Sequence, residues 1–346
     1  MSNSINSQRR AIDRLVYSAL AMVALGACME SKTFAASYLL DRLRILAIRA
    51  ATPSLGPGES TALDVLVYNP QSSAAAYEWS WCPLRSGADV QYSCALGAQD
   101  LHSALAGCGH GDVAVDYDLG NSATVQLDYL GSAPALRDLC AAARSANRDQ
   151  TISQLQCNNG LTLSVALSVT ASEHKVTAIK QVTLLLDAQQ VPNHNPEITA
   201  VRIAAQGEDA SASVELPSPA GEVALTYGAT YQLVIDVPAT AAEETHPGRA
   251  TEDGGVGVAT EDGGMRAITE MLTASWFVTG GTLGQPITTS SRNSDQPFDS
   301  LCKNSWTLPS ASEATASSAE IWIVIRDDRG GVGWAVRTAP LSASGL

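Results

Sequence analysis

Short runs in which apolar and polar residues alternate recur along this chain between clusters of Gly, Pro, Asn and Asp. That period-2 rhythm leaves little room for anything but β-structure. Residues 42–50 (RLRILAIRA) and 60–68 (STALDVLVY) flank a turn cluster at 53–58, and 76–83 (AYEWSWCP) follows with two tryptophans. The rhythm returns in 161–169 (LTLSVALSV) and 176–186 (VTAIKQVTLLL). After Asn193-His194-Asn195-Pro196, a turn-forming linker, the same grammar repeats in 197–204 (EITAVRIA), 230–237 (TYQLVIDV) and 272–278 (LTASWFV). A closing hairpin follows, 320–326 (EIWIVIR) and 332–338 (VGWAVRT) around Asp327-Asp328-Arg329-Gly330-Gly331. Plentiful Ala, Ser, Thr, Val and Gly suit strands and turns better than long surface helices. The expected architecture is all-β: two β-sandwich domains, 38–191 and 196–343, with the six tryptophans in their cores.

Residues 85–158 break the rhythm. A short helix near 98–105, a glycine-rich turn at 107–111 and a second helix at 133–144 read as a cysteine-rich, partly helical insertion into the first sandwich. Besides Cys28 the chain has six cysteines, Cys82, Cys94, Cys108, Cys140, Cys157 and Cys302, and five of them fall between 82 and 157. An even number in an exported chain is the signature of disulfides, here a set of three. Cys82–Cys94 and Cys140–Cys157 are the favoured local pairs, each contributing about 2 to 4 kcal/mol by closing an irregular region.

The expectation of export comes from the N-terminus. Arg9, Arg10 and Arg14 precede residues 15–25 (LVYSALAMVAL), an apolar run too short to span a bilayer, and then Gly26-Ala27-Cys28. Leu25-Gly26-Ala27-Cys28 resembles the lipobox of bacterial lipoproteins. The resemblance implies that 1–27 are removed, that Cys28 carries the lipid, and that 28–37 tether the folded part to the membrane. Met29 after the cysteine implies the outer membrane more than the inner, with the protein facing the periplasm or the exterior. Trp276-Phe277-Val278-Thr279-Gly280-Gly281 and the final hairpin resemble tandem immunoglobulin-like or PKD-like domains of bacterial surface lipoproteins. Such modules adhere, space or present, and the fold alone does not fix which.

Charge narrows the partners. The whole chain has a formal charge of −14, and loss of three Arg and one Asp with the leader makes it −16. From Glu197 onward there are 19 acidic and 8 basic residues. Nucleic acid is not an expected partner, because a phosphate-binding patch needs clustered Lys and Arg. The membrane is approached through the lipid alone, and a protein or glycan of the envelope is the expected partner.

Residues that carry chemistry are sparse. Ala-Thr-Glu-Asp-Gly-Gly occurs at 250–255 and again at 259–264. Glu252, Asp253, Glu261 and Asp262 there, and Asp116 and Asp118 in DYDLGN, are oxygen ligands of the kind Ca²⁺ takes. They also read as a duplicated solvated loop and a strand-end turn, the preferred readings. His102, Cys108 and His110 mix soft and hard metal ligands without a second close pair. A disulfide at Cys108 is preferred to a metal there. Gly330-Gly331-Val332-Gly333 opens a strand, not the helix that a dinucleotide site requires. No nucleophile elbow, zincin or phosphate-loop motif is present. The leading expectation is a non-catalytic envelope protein with no cofactor. The alternatives are a hydrolase or metal-dependent enzyme with its site in 85–158, and a calcium-dependent adhesion module.

Overall fold

The computed structural model describes residues 36–343 apart from 88–91, 146–150, 158–159, 188–189, 209–211, 218–222, 246–267 and 292–296. The protein is mostly strand. The first half contributes β1 (Arg44–Ala50), β2 (Ser54–Leu55), β3 (Ser60–Tyr68), β4 (Ala75–Cys82), β5 (Asp118–Gly120), β6 (Val125–Asp128), β7 (Leu161–Ala171) and β8 (His174–Leu184). Two helices, α1 (Ala98–Gly107) and α2 (Ala133–Ala143), lie among them. The second half contributes β9 (Ala200–Ala205), β10 (Val214–Glu215), β11 (Leu225–Thr226), β12 (Thr230–Asp236), β13 (Glu244–Thr245), β14 (Ile268–Thr269) and β15 (Thr273–Val278). It ends with β16 (Thr282–Leu283), β17 (Ile287–Thr289), β18 (Lys303–Thr307), β19 (Ser318–Arg326) and β20 (Val332–Ser342).

Each half is an immunoglobulin-like sandwich of two sheets. The first has β1-β3-β6 facing β2-β8-β7-β4-β5, and the second has β10-β9-β12-β18-β16 facing β11-β20-β19-β15-β17. The repeated grammar of the sequence becomes repeated topology. An opening pair, β1 with β3 or β9 with β12, is antiparallel. Each last long strand takes a short early strand as a parallel neighbour, β2 on β8 and β11 on β20. Alternation buries one row per strand: Leu161, Leu163, Val165, Leu167 and Val169 of β7 in the first core, Ile321, Ile323 and Ile325 of β19 in the second.

The cysteine-rich segment is part of the first sandwich's core. It supplies β5 to one sheet and β6 to the other, and Leu101, Leu105, Leu136 and Leu139 of its helices are fully buried against the β-rows. Ser132 accepts a hydrogen bond from the Ala135 amide and fixes the start of α2. Cys82–Cys94 and Cys140–Cys157 close loops of 12 and 17 residues, each stabilising the fold by about 3 kcal/mol. The expected third bridge is absent: Cys108 and Cys302 are free thiols. Cys302 stands at the rim of the second core and Cys108 beside the Asp138 carbonyl of α2, so they belong to different sandwiches.

The six tryptophans do not all serve the sandwich cores. Trp79, Trp81, Trp276 and Trp306 do, whereas Trp322 and Trp334 point outward into a third apolar cluster. There Leu46, Ala47, Leu66 and Tyr68, on the outer face of β1-β3, meet Phe277, Trp322, Val324, Val332, Trp334 and Val336 on the outer face of β15-β19-β20. The four sheets therefore stack in succession, with the two sandwiches face to face. This explains why EIWIVIR is apolar at nearly every position, since a strand covered on both faces loses its polar row. Arg49 holds Asp64 through two hydrogen bonds of 3.2 and 2.7 Å while its guanidinium lies 4.1 Å from the centre of the Trp334 ring. Tyr68 meets Trp322 edge-on at 5.7 Å.

Candidate functional site: a polar junction between the sandwiches

A cluster of charged and amide side chains lies where the β19–β20 turn meets the linker and β8. Lys180 sits in the inward row of β8 between Ala178 and Val182, a position whose neighbours face the first core. Its ammonium donates to the Gly330 carbonyl of the second sandwich, and the side chain is only 7% exposed. Burial pulls its pKa down to about 8; Asp327 partly offsets this and Arg326 adds to it.

Asp327 organises the turn itself. Its carboxylate accepts from the Arg329 amide at 2.8 Å, the Gly331 amide at 2.7 Å and the Asn193 side-chain amide at 3.2 Å. The linker is thereby built into the body. Asn193 is 3% exposed, its backbone amide donates to Ser54 Oγ, and its own Oδ1 is buried with no partner. Asn195 donates to the carbonyls of Ala50 and Ala51 and accepts from the Val332 amide. Arg326 caps another carbonyl on the same free edge of β1, that of Leu46, at 2.7 Å. The free edge of β1 is thus blocked by side chains of the linker and of the second sandwich. Such blocking prevents unplanned strand addition.

Arg329 reaches the other way, to Glu270 and Glu243, whose two carboxylates flank the β13–β14 ribbon. Glu243 also pairs with His194 of the linker. Glu270 is 3% exposed, and desolvation raises its pKa although Arg329 and the Glu243 amide act to lower it. Desolvation also lowers the pKa of Arg326. Most of these groups are satisfied by one another. The junction's chemistry is that of a clamp holding linker, hairpin and ribbon in one register.

Gly331 and Gly333 have a close-packing reason. A Cβ on Gly333 would collide with the Pro196 carbonyl oxygen, so the linker runs directly over this strand. Gly333→Ala is expected to lower stability by about 1–3 kcal/mol, the usual range for overpacking, read as a drop in the urea midpoint.

The residues singled out from sequence are dispersed. Cys28 lies outside the described residues, as do Glu252, Asp253, Glu261 and Asp262. Asp116 accepts from the Asp118 amide and Asp118 from the Gly120 amide, each closing a turn on its own backbone. His102 contacts the Val113 carbonyl and His110 pairs with Asp138 at 2.9 Å, so these histidines serve separate neighbours. Contrary to expectation, Cys108 forms no disulfide beside His110. Among the described residues no three of His, Cys, Asp and Glu gather in a way that would hold a metal ion. Also among the described residues, no helix is long and apolar enough to cross a membrane. The junction was missed because Asp327 and Asp328 read as turn formers. The available signal was Lys180, a charge in an otherwise apolar row.

No family model matches the chain, and no curated protein matches it in sequence. Among solved structures, red sea bream transglutaminase aligns over 88% of this chain at 9% identity and a TM-score of 0.22, and this chain spans 32% of it. A bacterial ice-binding adhesin involved in host cell surface retention aligns over 90% at 11% identity and a TM-score of 0.20, with 67% of that chain covered. Human protocadherin-24 EC1-2 aligns over 88% at 8% identity and a TM-score of 0.17, with all of that chain covered. Likenesses of this strength assign no activity, and the immunoglobulin-like fold stands on the strand pairing described above.

Proposed function

We propose that this chain is a lipid-anchored cell-envelope protein that presents a rigid pair of stacked sandwiches to a protein or glycan partner without catalysing a reaction. The observation that carries this reading is the third apolar cluster with its polar clamp, which makes one body of two sandwiches. Two sandwiches stacked face to face add little reach, so presentation fits better than spacing. Short edge strands of two to four residues at β2, β5, β6, β10, β11, β16 and β17 offer little template for strand addition. Recognition then falls to loops and exposed faces. The lipobox resemblance at 25–28 supplies the anchor, which an acidic chain needs in order to stay near anionic lipid.

Fractionation of cells expressing the full chain tests the anchor. Wild type is expected in the membrane pellet with an acylated N-terminal peptide, and Cys28→Ser in the soluble fraction. Wild type found soluble, with no acyl mass on Cys28, sinks the anchor. Rigidity is read from spin labels on the two sandwiches, where one narrow distance distribution is expected and a broad one argues against a single body.

A further inference from the structure

We infer, on the single-body reading proposed above, that the strap at 38–43 is a latch: it pins the end of the inter-sandwich face opposite the polar junction, and when it is undone the sandwiches gape there, hinged on the junction.

The strap precedes the first sandwich but docks on the second. The Leu40 amide donates to the Val278 carbonyl at 2.8 Å and the Val278 amide to the Tyr38 carbonyl at 3.0 Å, a parallel bridge on β15. Among the described residues β17 pairs with Thr273, Ala274 and Ser275 alone, and the Trp276 amide donates to the Pro286 carbonyl, so this column of partners stops short of Val278. Val278 is fully buried, and a residue so placed needs partners for both its amide and its carbonyl. The strap supplies them.

Three apolar clusters are threaded within residues 38–43. Tyr38 packs against the second core, Leu40, 2% exposed, sits in the cluster between the sandwiches, and Leu43 lies in the first core. Arg44 then lies over the Phe277 ring while donating to the Leu39 carbonyl.

Strand registers put strap and junction at opposite ends of one face. At the strap end Arg44 pairs with Tyr68 and Val278 with Ile321. At the other end lie Ala50, Arg326 and Val332, where Asn195 and Arg326 bond across to β1. The length of β19 separates the two by about 26 Å. The clamp therefore acts on one end of the face. At the other, Tyr68, Phe277 and Trp322 are only partly buried, and Leu40 covers them from the strap. The strap itself is lightly held. Asp41 and Arg42 are exposed, their ion pair is 3.9 Å long, and one bridge ties the strap to β15 where six residue pairs tie β19. Few backbone bonds and exposed neighbours mark the part of a face that opens first.

Paired spin labels read the latch in the full chain carrying Cys28→Ser, Cys108→Ser and Cys302→Ser. One pair, Ala74→Cys with Ala316→Cys, spans the strap end, and the other, Ala51→Cys with Met271→Cys, spans the junction end; all four positions are exposed. Tyr38→Gly with Leu40→Asp undoes the strap, which should quicken amide hydrogen exchange at Val278. The 74–316 distance distribution is expected to widen at least twofold while the 51–271 distribution stays as narrow as in the parent. A 74–316 distribution that stays narrow, or exchange at Val278 that does not quicken, overturns the latch and leaves the single body standing. Broadening at both ends overturns the hinge on the junction. A parent already broad at both ends overturns the single-body reading and the latch together. Should the double variant fail to fold, Leu40→Gly, which keeps the amide bond to Val278 and removes the side chain, is read by the same distances.

Discussion

Arg329→Ala is expected to destabilise the protein by about 3–5 kcal/mol, the cost of removing one partner from a buried ion pair and leaving a charge uncompensated. The charge is that of Glu270, whose side chain is 2% exposed, and Glu243 loses the same partner. The pH dependence follows from the direction of the Glu270 shift. Desolvation already raises its folded pKa above that of an ordinary glutamate, so between the two values the folded state binds more protons than the unfolded state. Its contribution to stability is therefore present below the unfolded pKa and lost as pH rises through the folded one. Without Arg329 the carboxyl shifts further upward. The deficit measured by urea denaturation should be large at pH 7 and smaller near pH 4, and Glu270→Gln should restore part of it at pH 7. A deficit below about 1 kcal/mol at pH 7 would show that the pair is screened by solvent and that the clamp is weak.

What the sequence revealed and what it hid follow from the range over which each interaction acts. Strand β3 is observed at 60–68, where alternation places it, because period-2 burial is written in adjacent residues. Cys82–Cys94 and Cys140–Cys157 were legible because each closes a short loop. Trp322 and Trp334 were misassigned for a different reason. Alternation identifies two faces but does not say what covers the second, and only the absence of a polar row in 320–326 pointed to cover on both. Contacts of Arg329 with Glu270 and Glu243 span 59 and 86 residues, and nothing local announces them. Asn193 illustrates the same limit. Its neighbours make a turn-forming linker by composition, yet it is buried because Ser54 and Asp327 converge on it from both sandwiches.

Lys180→Met is expected to raise stability at neutral pH, by up to about 3 kcal/mol, because it removes the cost of keeping an ammonium in an apolar row. The size comes from a pKa of about 8 against 10.5 for a free lysine, at about 1.4 kcal/mol per unit. The sign is fixed by proton counting. Between pH 8 and 10.5 the unfolded chain holds a proton at this position that the folded chain has lost, so wild-type stability rises with pH across that window. Below pH 8 both states are protonated and the full cost is present. The methionine variant has no such dependence, so its advantage should be greatest at pH 7 and gone by pH 10, when urea midpoints of the two proteins are compared. An advantage that stayed constant over that range would show that packing, not charge, separates them. Asp327 keeps donors from Asn193, Arg329 and Gly331 in the variant, so the turn retains its frame. The Gly330 carbonyl loses its partner from the first sandwich, which costs about 1 kcal/mol at every pH, so the net gain at pH 7 is about 2 kcal/mol and the variant falls just below wild type by pH 10. A lysine that weakens the fold yet reaches a carbonyl of the other sandwich suits a registering role. It gives the hairpin at 327–331 one favoured seat against β8, where an apolar contact would allow several. If so, spin-label distances between the sandwiches should broaden in Lys180→Met even as its urea midpoint rises, and a distribution as narrow as wild type would dismiss the registering role.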